Sequence, residues 1–161
     1  MIDGVKIKKL VAHRDIPDTP EIQAAEPGFL VEVVRDDDNL LSRFGQSTFT
    51  IAPAGTIKAF HWHKQQDDLW FIATGKARIV LFDRREDSPT KGETQAILAG
   101  KDDYKIVLIP AGVAHGYQVL GDQPVALFYH TTKSYDAKNP DEQRIAYNDP
   151  EINFNWDGKD I

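Results

Sequence analysis

Three histidines and an aspartate stand close together in two short segments of the sequence. His61, His63 and Asp68 belong to one segment, and His115 lies in a second, Pro110–Tyr117. Alternate residues of a β-strand point to the same face, so His61 and His63 share a face if their segment is extended. Such a group permits two chemistries: proton abstraction by a histidine base, or the binding of a metal ion.

The residue types leave both chemistries open. Neutral imidazoles with one carboxylate suit iron, manganese, nickel or zinc, and the metal interpretation takes His61, His63, Asp68 and His115 as the ligands. A histidine base instead needs a carboxylate partner, because the carboxylate fixes the imidazole tautomer and raises its basicity. In either case, strands must bring the two segments together inside one barrel.

Composition narrows the class of protein. The 161 residues are about one domain's worth. A net charge of -6 argues against nucleic-acid binding, which requires a basic face. The absence of cysteine excludes disulfides and thiolate chemistry. We find neither a signal-peptide pattern at the amino terminus nor an apolar run of membrane-spanning length, so we expect a cytoplasmic protein without a membrane partner.

The pattern of the chain is β throughout, with Gly and Pro at the turns and no long amphipathic helix. Residues 15–27 read as a loop, and residues 36–41 as a short helix. We predict strands at 5–12, 28–34, 47–51, 57–63, 69–73, 76–83, 94–98, 105–109, 115–120 and 125–130. Many short strands at close spacing predict a sandwich or barrel. We therefore expect an all-β fold with short helical segments, forming one domain over residues 1–161.

The spacing within the two segments resembles the two motifs of the cupin fold. Gly55 is followed after five residues by His61-x-His63, after four more by Asp68, and after six more by a glycine. Pro110-x-Gly-x-x-His115 matches the second motif. The resemblance implies a double-stranded β-helix, also called a jelly-roll barrel.

A longer set of segments resembles the dTDP-4-dehydrorhamnose 3,5-epimerase family, whose members are cupin-fold homodimers. The matching segments occur in the family's order, from about residue 5 to residue 156. They are Gly28-Phe-Leu-Val-Glu32, Lys58-Ala-Phe-His61-Trp62, Phe82–Gly92 with its Ser-Pro-Thr, Ile109–Tyr117, Tyr129-His-Thr-Thr, and Tyr147-Asn-Asp-Pro-Glu-Ile-Asn-Phe-Asn-Trp156.

This resemblance implies an isomerase that epimerises a nucleotide-linked 4-keto-6-deoxy sugar, dTDP-linked by analogy, at C3, C5 or one of them. His61 would be the base that removes the proton beside the ketone, Asp149 would orient His61, and Tyr129 would return a proton from the opposite face. The residues implied in substrate binding are Phe29, Glu32, Gln46, Lys58, His115 and Tyr135, with Phe29 and Glu32 at the nucleotide end. The family's chemistry requires no cofactor.

Several departures from the family pattern bear on the site. Asp68 stands where the family has a pocket lysine, His63 replaces a glutamine, and Lys58 replaces an arginine; Pro27 replaces another arginine. Loss of the lysine removes a group that would stabilise the enolate oxygen, and a divalent metal could polarise the ketone in its place. A metal-dependent isomerase or oxygenase and a non-catalytic sugar-nucleotide-binding barrel remain as alternatives.

Strand parity adds one structural expectation. Lys58 and His61 are three residues apart, so in a regular strand they point to opposite faces. Both can reach one pocket only if a β-bulge lies between them.

Overall fold

The computed structural model describes residues 1–14 and 28–158. These residues form two five-stranded antiparallel sheets and a two-stranded sheet. The strands are β1 (Lys6–Lys9), β2 (Ala12–Arg14), β3 (Phe29–Val31), β4 (Gln46–Ala52), β5 (Ile57–His63), β6 (Asp68–Thr74), β7 (Lys76–Asp83), β8 (Thr94–Gly100), β9 (Lys105–Ile109), β10 (Val113–Leu120), β11 (Val125–Thr131) and β12 (Glu142–Arg144). The first sheet has the order β1-β9-β6-β11-β4, the second has β12-β5-β10-β7-β8, and β2 pairs with β3.

The two large sheets pack face to face around an apolar core. Alternate residues of their strands point inward, as in Trp70 and Ile72 of β6 opposite Ile79 and Leu81 of β7, and all four side chains are buried. This alternation buries one face of each strand and leaves the other for a second layer. The arrangement confirms the predicted all-β jelly-roll barrel.

Chain segments outside the barrel cover much of its outer faces. Leu10 and the segment around Leu40 pack over the β6–β9 half of the first sheet. The carboxy-terminal segment covers the second sheet, where Ile152 and Trp156 contact Phe60 and its neighbours. The tail therefore wraps the outer face of the second sheet.

Most predicted strands occur within one or two residues of their expected bounds, and three match them at both ends. The predicted helix at residues 36–41 is a 3₁₀ turn at Asp36–Asp38. The predicted loop at 15–27 lies outside the described residues. The predicted strand at 5–12 ends at Lys9, and neither β2 nor β12 was predicted as a separate strand. No helical segment among the described residues has the length and apolar character required to cross a membrane.

A buried carboxylate holds the loop that follows β7. Asp83 is fully buried and accepts hydrogen bonds from Arg85, Ser88 and Thr90, at 2.7, 2.5 and 2.6 Å to Oδ2. Burial alone would raise the pKa of Asp83, but these hydrogen bonds lower it far below its ordinary value of 3.8. The Ser-Pro-Thr segment therefore has a structural role in this chain, with Asp83 as its anchor.

We expect Asp83→Asn to lower the free energy of unfolding by about 2–4 kcal/mol at pH 7, because it removes the charge from a buried ion pair. The pKa of Asp83 is lower in the folded chain than in the unfolded chain, so the stabilisation is complete above pH 3.8 and is lost as the pH falls below it. Urea unfolding should show that the difference in unfolding free energy between wild type and Asp83→Asn narrows by about 1 kcal/mol between pH 7 and pH 3. The exposed Asp87→Asn is the control. If Asp83→Asn lowered the free energy of unfolding no more than Asp87→Asn does, the anchor role would be contradicted.

Candidate active site

A cavity of about 1310 Å³ opens between the two large sheets at one end of the barrel. It is large enough for a nucleotide sugar, since ligand pockets commonly measure about 300–1,000 Å³. The cavity brings together these sequence-predicted side chains: Gln46, Lys58, His61, His63, Asp68, His115, Tyr129 and Tyr135. Phe29, Glu32 and Asp149 do not line it.

A bulge in β5 turns both Lys58 and His61 toward the cavity. His115 pairs with His61, whereas Tyr117 pairs with Lys58, so β5 has one more residue than β10 between these two pairs. Strands β5 and β10 approach each other closely here: a Cβ on Gly116 would lie 2.4 Å from the Cβ of Ala59. Glycine is therefore needed at position 116, and the bulge that strand parity required is present.

His61 is held by a carboxylate that the sequence analysis did not identify. Oε1 of Glu142 lies 3.0 Å from Nδ1 of His61. Strand β12 pairs with β5 along Glu142–Arg144, and this pairing places Glu142 beside the imidazole. A carboxylate can only accept, so Nδ1 carries the hydrogen and the lone pair of Nε2 is free to act as a base.

Glu142 is an anion at neutral pH. Partial burial works toward a higher pKa, but the hydrogen bond donated by Arg144 and the neighbouring His61 lower the pKa of Glu142 below its ordinary value. Nε of Arg144 lies 2.9 Å from Oε1. Arg144, Glu142 and His61 thus form a hydrogen-bonded chain along the cavity edge.

Asp149, which was predicted to orient His61, makes no hydrogen bond to that imidazole among the described residues. Within the described residues, Oδ1 of Asp149 accepts hydrogen bonds from the backbone N–H groups of Glu151 and Ile152, at 2.9 and 3.4 Å. This is the usual behaviour of an aspartate that caps its own turn. The Asn-Asp-Pro motif lies in the tail that covers the second sheet, and the carboxylate that is hydrogen-bonded to His61 is that of Glu142.

Two tyrosines line the cavity from facing sheets. Tyr129 lies on β11 of the first sheet, opposite the β5 strand that carries His61. Tyr117, which stands where the family has phenylalanine, has a buried hydroxyl without a hydrogen-bond partner among the described residues. Burial, with Tyr129 adding to it, raises the pKa of Tyr117 to about 12, so its hydroxyl stays protonated.

Three of the four predicted metal ligands meet deep in the cavity. Donor atoms of His63, Asp68 and His115 all lie within 4.8 Å of one another. His61 is not part of this group, and Glu142 occupies its Nδ1. Burial lowers the pKa of His115 to about 4, against the opposing charge of Asp68, so this imidazole is neutral at pH 7.

Basic side chains stand around the mouth of the cavity. Lys58 lies 3.3 Å from the hydroxyl of Thr50, and Lys64, Lys133 and Arg144 also line the opening. Sequence analysis identified Lys58 among them. Gln46 accepts a hydrogen bond from the backbone N–H of Tyr135 at 2.9 Å, which places that aromatic ring at the rim. These cations and the aromatic ring could contact a nucleoside diphosphate, although the carboxylates of Asp136 and Asp141 also line the cavity.

Phe29 and Glu32 lie away from this cavity. The ring of Phe29 packs against Tyr104, with 5.8 Å between centroids, over the outer face of the first sheet. Glu32 accepts a hydrogen bond from Arg35 at 3.1 Å. Within one chain, these two residues do not reach the predicted substrate site.

The barrel and its cavity define a class of protein: a cupin-type fold whose cavity holds a carboxylate-paired histidine. The family model for dTDP-4-dehydrorhamnose 3,5-epimerase matches residues 19–161. The chain belongs to this family, which is a family of isomerases.

Two relatives are similar to this chain over nearly its whole length, in keeping with this assignment. The spore coat polysaccharide biosynthesis protein SpsL of Bacillus subtilis (strain 168) is 53% identical over 156 residues, covering 97% of each chain. The crystal structure of a dTDP sugar isomerase from Desulfovibrio desulfuricans G20 has a TM-score of 0.84 at 28% identity, covering 99% of this chain and 94% of that one.

A third relative is described with a bound ligand. The dTDP-6-deoxy-D-glucose-3,5-epimerase of Legionella pneumophila Philadelphia 1, in complex with dTDP-4-keto-L-rhamnose, has a TM-score of 0.81 at 26% identity. The structural match covers 100% of this chain and 83% of the Legionella chain. These findings favour the epimerase over the metal-dependent oxygenase and the non-catalytic barrel.

Proposed function

We propose that the protein epimerises a nucleotide-linked 4-keto-6-deoxy sugar, with a dTDP-sugar as the expected substrate. The observation that carries this proposal is the hydrogen bond between His61 and Glu142 at the edge of a cavity whose opposite wall carries Tyr129. Inversion at carbon requires a base on one side of the sugar ring and an acid on the other, and the two facing sheets provide both.

The chemistry proceeds by two proton transfers. Nε2 of His61 removes the proton from the carbon beside the C4 ketone, and the electron pair of the broken C–H bond moves into an enolate. The imidazolium that forms is stabilised by the anionic Glu142. The Tyr129 hydroxyl then delivers its proton to the opposite face of the same carbon, which restores the ketone. Solvent at the open mouth returns a proton to Tyr129 and accepts the one held by His61.

The mouth of the cavity is suited to the nucleotide diphosphate. Lys58, Lys133 and Arg144 can neutralise phosphate oxygens there. Lysine offers a point charge where an arginine would offer a bidentate contact, so Lys58 holds a phosphate less specifically than the family's arginine. Tyr135 at the rim can stack on a base.

One prediction concerns His61 and its carboxylate partner Glu142. In D₂O, wild type should exchange the C3 or C5 protons of dTDP-4-keto-6-deoxyglucose for deuterium, which proton NMR detects as loss of those signals. His61→Asn should slow exchange by about 10²–10⁴-fold. Glu142→Gln should slow it by about 10²-fold, because the amide keeps the hydrogen bond but cannot stabilise the imidazolium.

Asp149→Asn is the matched control, since asparagine keeps the acceptor oxygen that caps its turn. We expect it to remain within about threefold of wild type. If Asp149→Asn lost exchange and Glu142→Gln did not, the assignment of Glu142 would be wrong.

A separate prediction concerns Tyr129. Tyr129→Phe should keep deuterium exchange but form about 10²-fold less epimer, because His61 can return a deuteron to the face from which it took the proton. Proton NMR measures the exchange, and coupling constants of the ring protons identify the epimer. Tyr117→Phe, which restores the family's residue, should form epimer at close to the wild-type rate. Unchanged epimer formation in Tyr129→Phe would remove Tyr129 from the mechanism.

We also propose that the protein is a homodimer formed through the uncovered half of the first sheet. Phe49 and Ile51 of β4 are 50% and 58% exposed, and Phe128 of β11 packs on Phe49 with 4.7 Å between ring centroids. Strand β3, which carries Phe29, packs on the outer face of the β6–β9 half of the same sheet. Two copies packed through this face would cover the aromatic patch and could bring Phe29 and Glu32 toward the partner's cavity.

Phe49→Glu should convert the dimer to a monomer, because a dimer would bury a charge in an apolar contact. Light scattering coupled to size exclusion measures the mass directly. Leu98→Glu, which places the same charge at a 40% exposed position on β8 of the second sheet, should leave the mass unchanged. A monomeric wild type would refute the dimer.

A further inference from the structure

His63, Asp68 and His115 converge deep in the cavity without bonding to one another. Nε2 of His63 is 3.7 Å from Oδ1 of Asp68, and Nε2 of His115 is 3.7 Å from Oδ2. Both distances exceed a hydrogen bond. They are close to the spacing of two ligands on one ion, since ligands about 2.1 Å from a tetrahedral centre lie about 3.4 Å apart.

The tautomer of His115 directs a lone pair toward this point. Its Nδ1 lies 3.0 Å from the backbone carbonyl of Val113, which can only accept, so Nδ1 carries a hydrogen and Nε2 is the nitrogen that faces Asp68 and can bind a metal. His63 is 9% exposed, and its Nδ1 has no hydrogen-bond partner in the described parts of the chain. Two imidazoles and a carboxylate therefore present donor atoms to a common centre.

Surrounding groups hold the three side chains in place. Gln66 donates to Oδ1 of Asp68 at 2.8 Å, and the indole N–H of Trp70 donates to Oδ2 at 3.1 Å. Trp70 also packs edge-on against the ring of His115, with 5.1 Å between centroids. Outer hydrogen bonds of this kind orient the ligands of metal sites.

We propose that His63, Asp68 and His115 form a binding site for one first-row divalent transition-metal ion. Two neutral nitrogens and one carboxylate oxygen form a donor set suited to zinc, iron, cobalt or nickel, and the open side toward the cavity leaves a coordination position for another ligand. His61 stays with Glu142, so the same cavity holds the metal ligands and the base separately. When bound, the ion supplies positive charge beside the carbonyl of a 4-keto sugar, a role that rests on the proposed epimerase function.

The substitutions at this point of the chain are mutually consistent. Asp68 replaces a positively charged lysine, and its carboxylate alone would leave the cavity floor unable to stabilise an enolate. His63 replaces a glutamine and adds a ligand beside that carboxylate. A bound divalent ion would reverse the local charge that Asp68 introduces.

The test uses untagged full-length protein stripped with a chelator. Titration with Co²⁺ should give visible absorption bands that saturate at one equivalent per chain, and calorimetry with Zn²⁺ should give the same stoichiometry. His63→Gln, which restores the family's residue, and Asp68→Asn should each weaken binding at least 100-fold. His13→Gln changes an exposed histidine outside the cavity and should bind as wild type does.

Each variant should show a cooperative melting transition without metal, which establishes that it is folded. Saturating Zn²⁺ should then raise the melting temperature of wild type and His13→Gln but not of the two site variants. Wild-type binding well below one equivalent, or equal binding in His63→Gln and His13→Gln, would overturn the metal site. Deuterium exchange into the keto sugar, measured on the same samples, separates the two proposals. Exchange without metal binding refutes this site alone, and stoichiometric binding without exchange refutes the epimerase function alone.

Discussion

The close contact between β5 and β10 determines the character of the cavity. One extra residue in β5, accommodated because position 116 is glycine, lets Lys58, His61 and His63 all point inward. A regular strand would send Lys58 to the outer face, where it could not meet a phosphate. The same pairing sets His115 directly opposite His61. A backbone irregularity without chemistry of its own thus decides which side chains can take part in the reaction.

Two carboxylates in this cavity have different surroundings and so different uses. Glu142 is half-exposed, receives a hydrogen bond from Arg144 and contacts one imidazole, so it acts as the anionic partner of a base. Asp68 is buried, and both of its oxygens accept hydrogen bonds from neutral groups, Gln66 and Trp70. A buried carboxylate facing two imidazole nitrogens requires a compensating cation or proton. The separation of these two anions lets one cavity contain both a base and a candidate cation site.

The strands with a clear apolar pattern could be predicted from the sequence. Strands Lys76–Asp83 and Lys105–Ile109 are mostly apolar runs that are buried along nearly their whole length, and their bounds were predicted correctly. The cavity position of His61, His63, Asp68 and His115 followed from strand parity and motif spacing.

Strand β12 has the sequence Glu-Gln-Arg, without an apolar residue, and lies at a sheet edge, so periodicity carried no signal for it. The location of Glu142 depends on a pairing across 81 positions of sequence, which local pattern cannot reveal. Resemblance to the family pointed instead to Asp149, whose turn keeps its carboxylate occupied.

Replacement of a fixed lysine by an aspartate changes how positive charge would be provided to the reacting ketone. A lysine carries its charge on the chain and needs no ligand from solution. The His63–Asp68–His115 group lacks the fixed positive charge of a lysine, and a bound ion would supply that charge. The enolate intermediate is the point of highest negative charge in the proposed reaction, and stabilisation there lowers the barrier most. Metal availability would then limit the rate of the step that His61 initiates, although His61 itself is not one of the three proposed ligands.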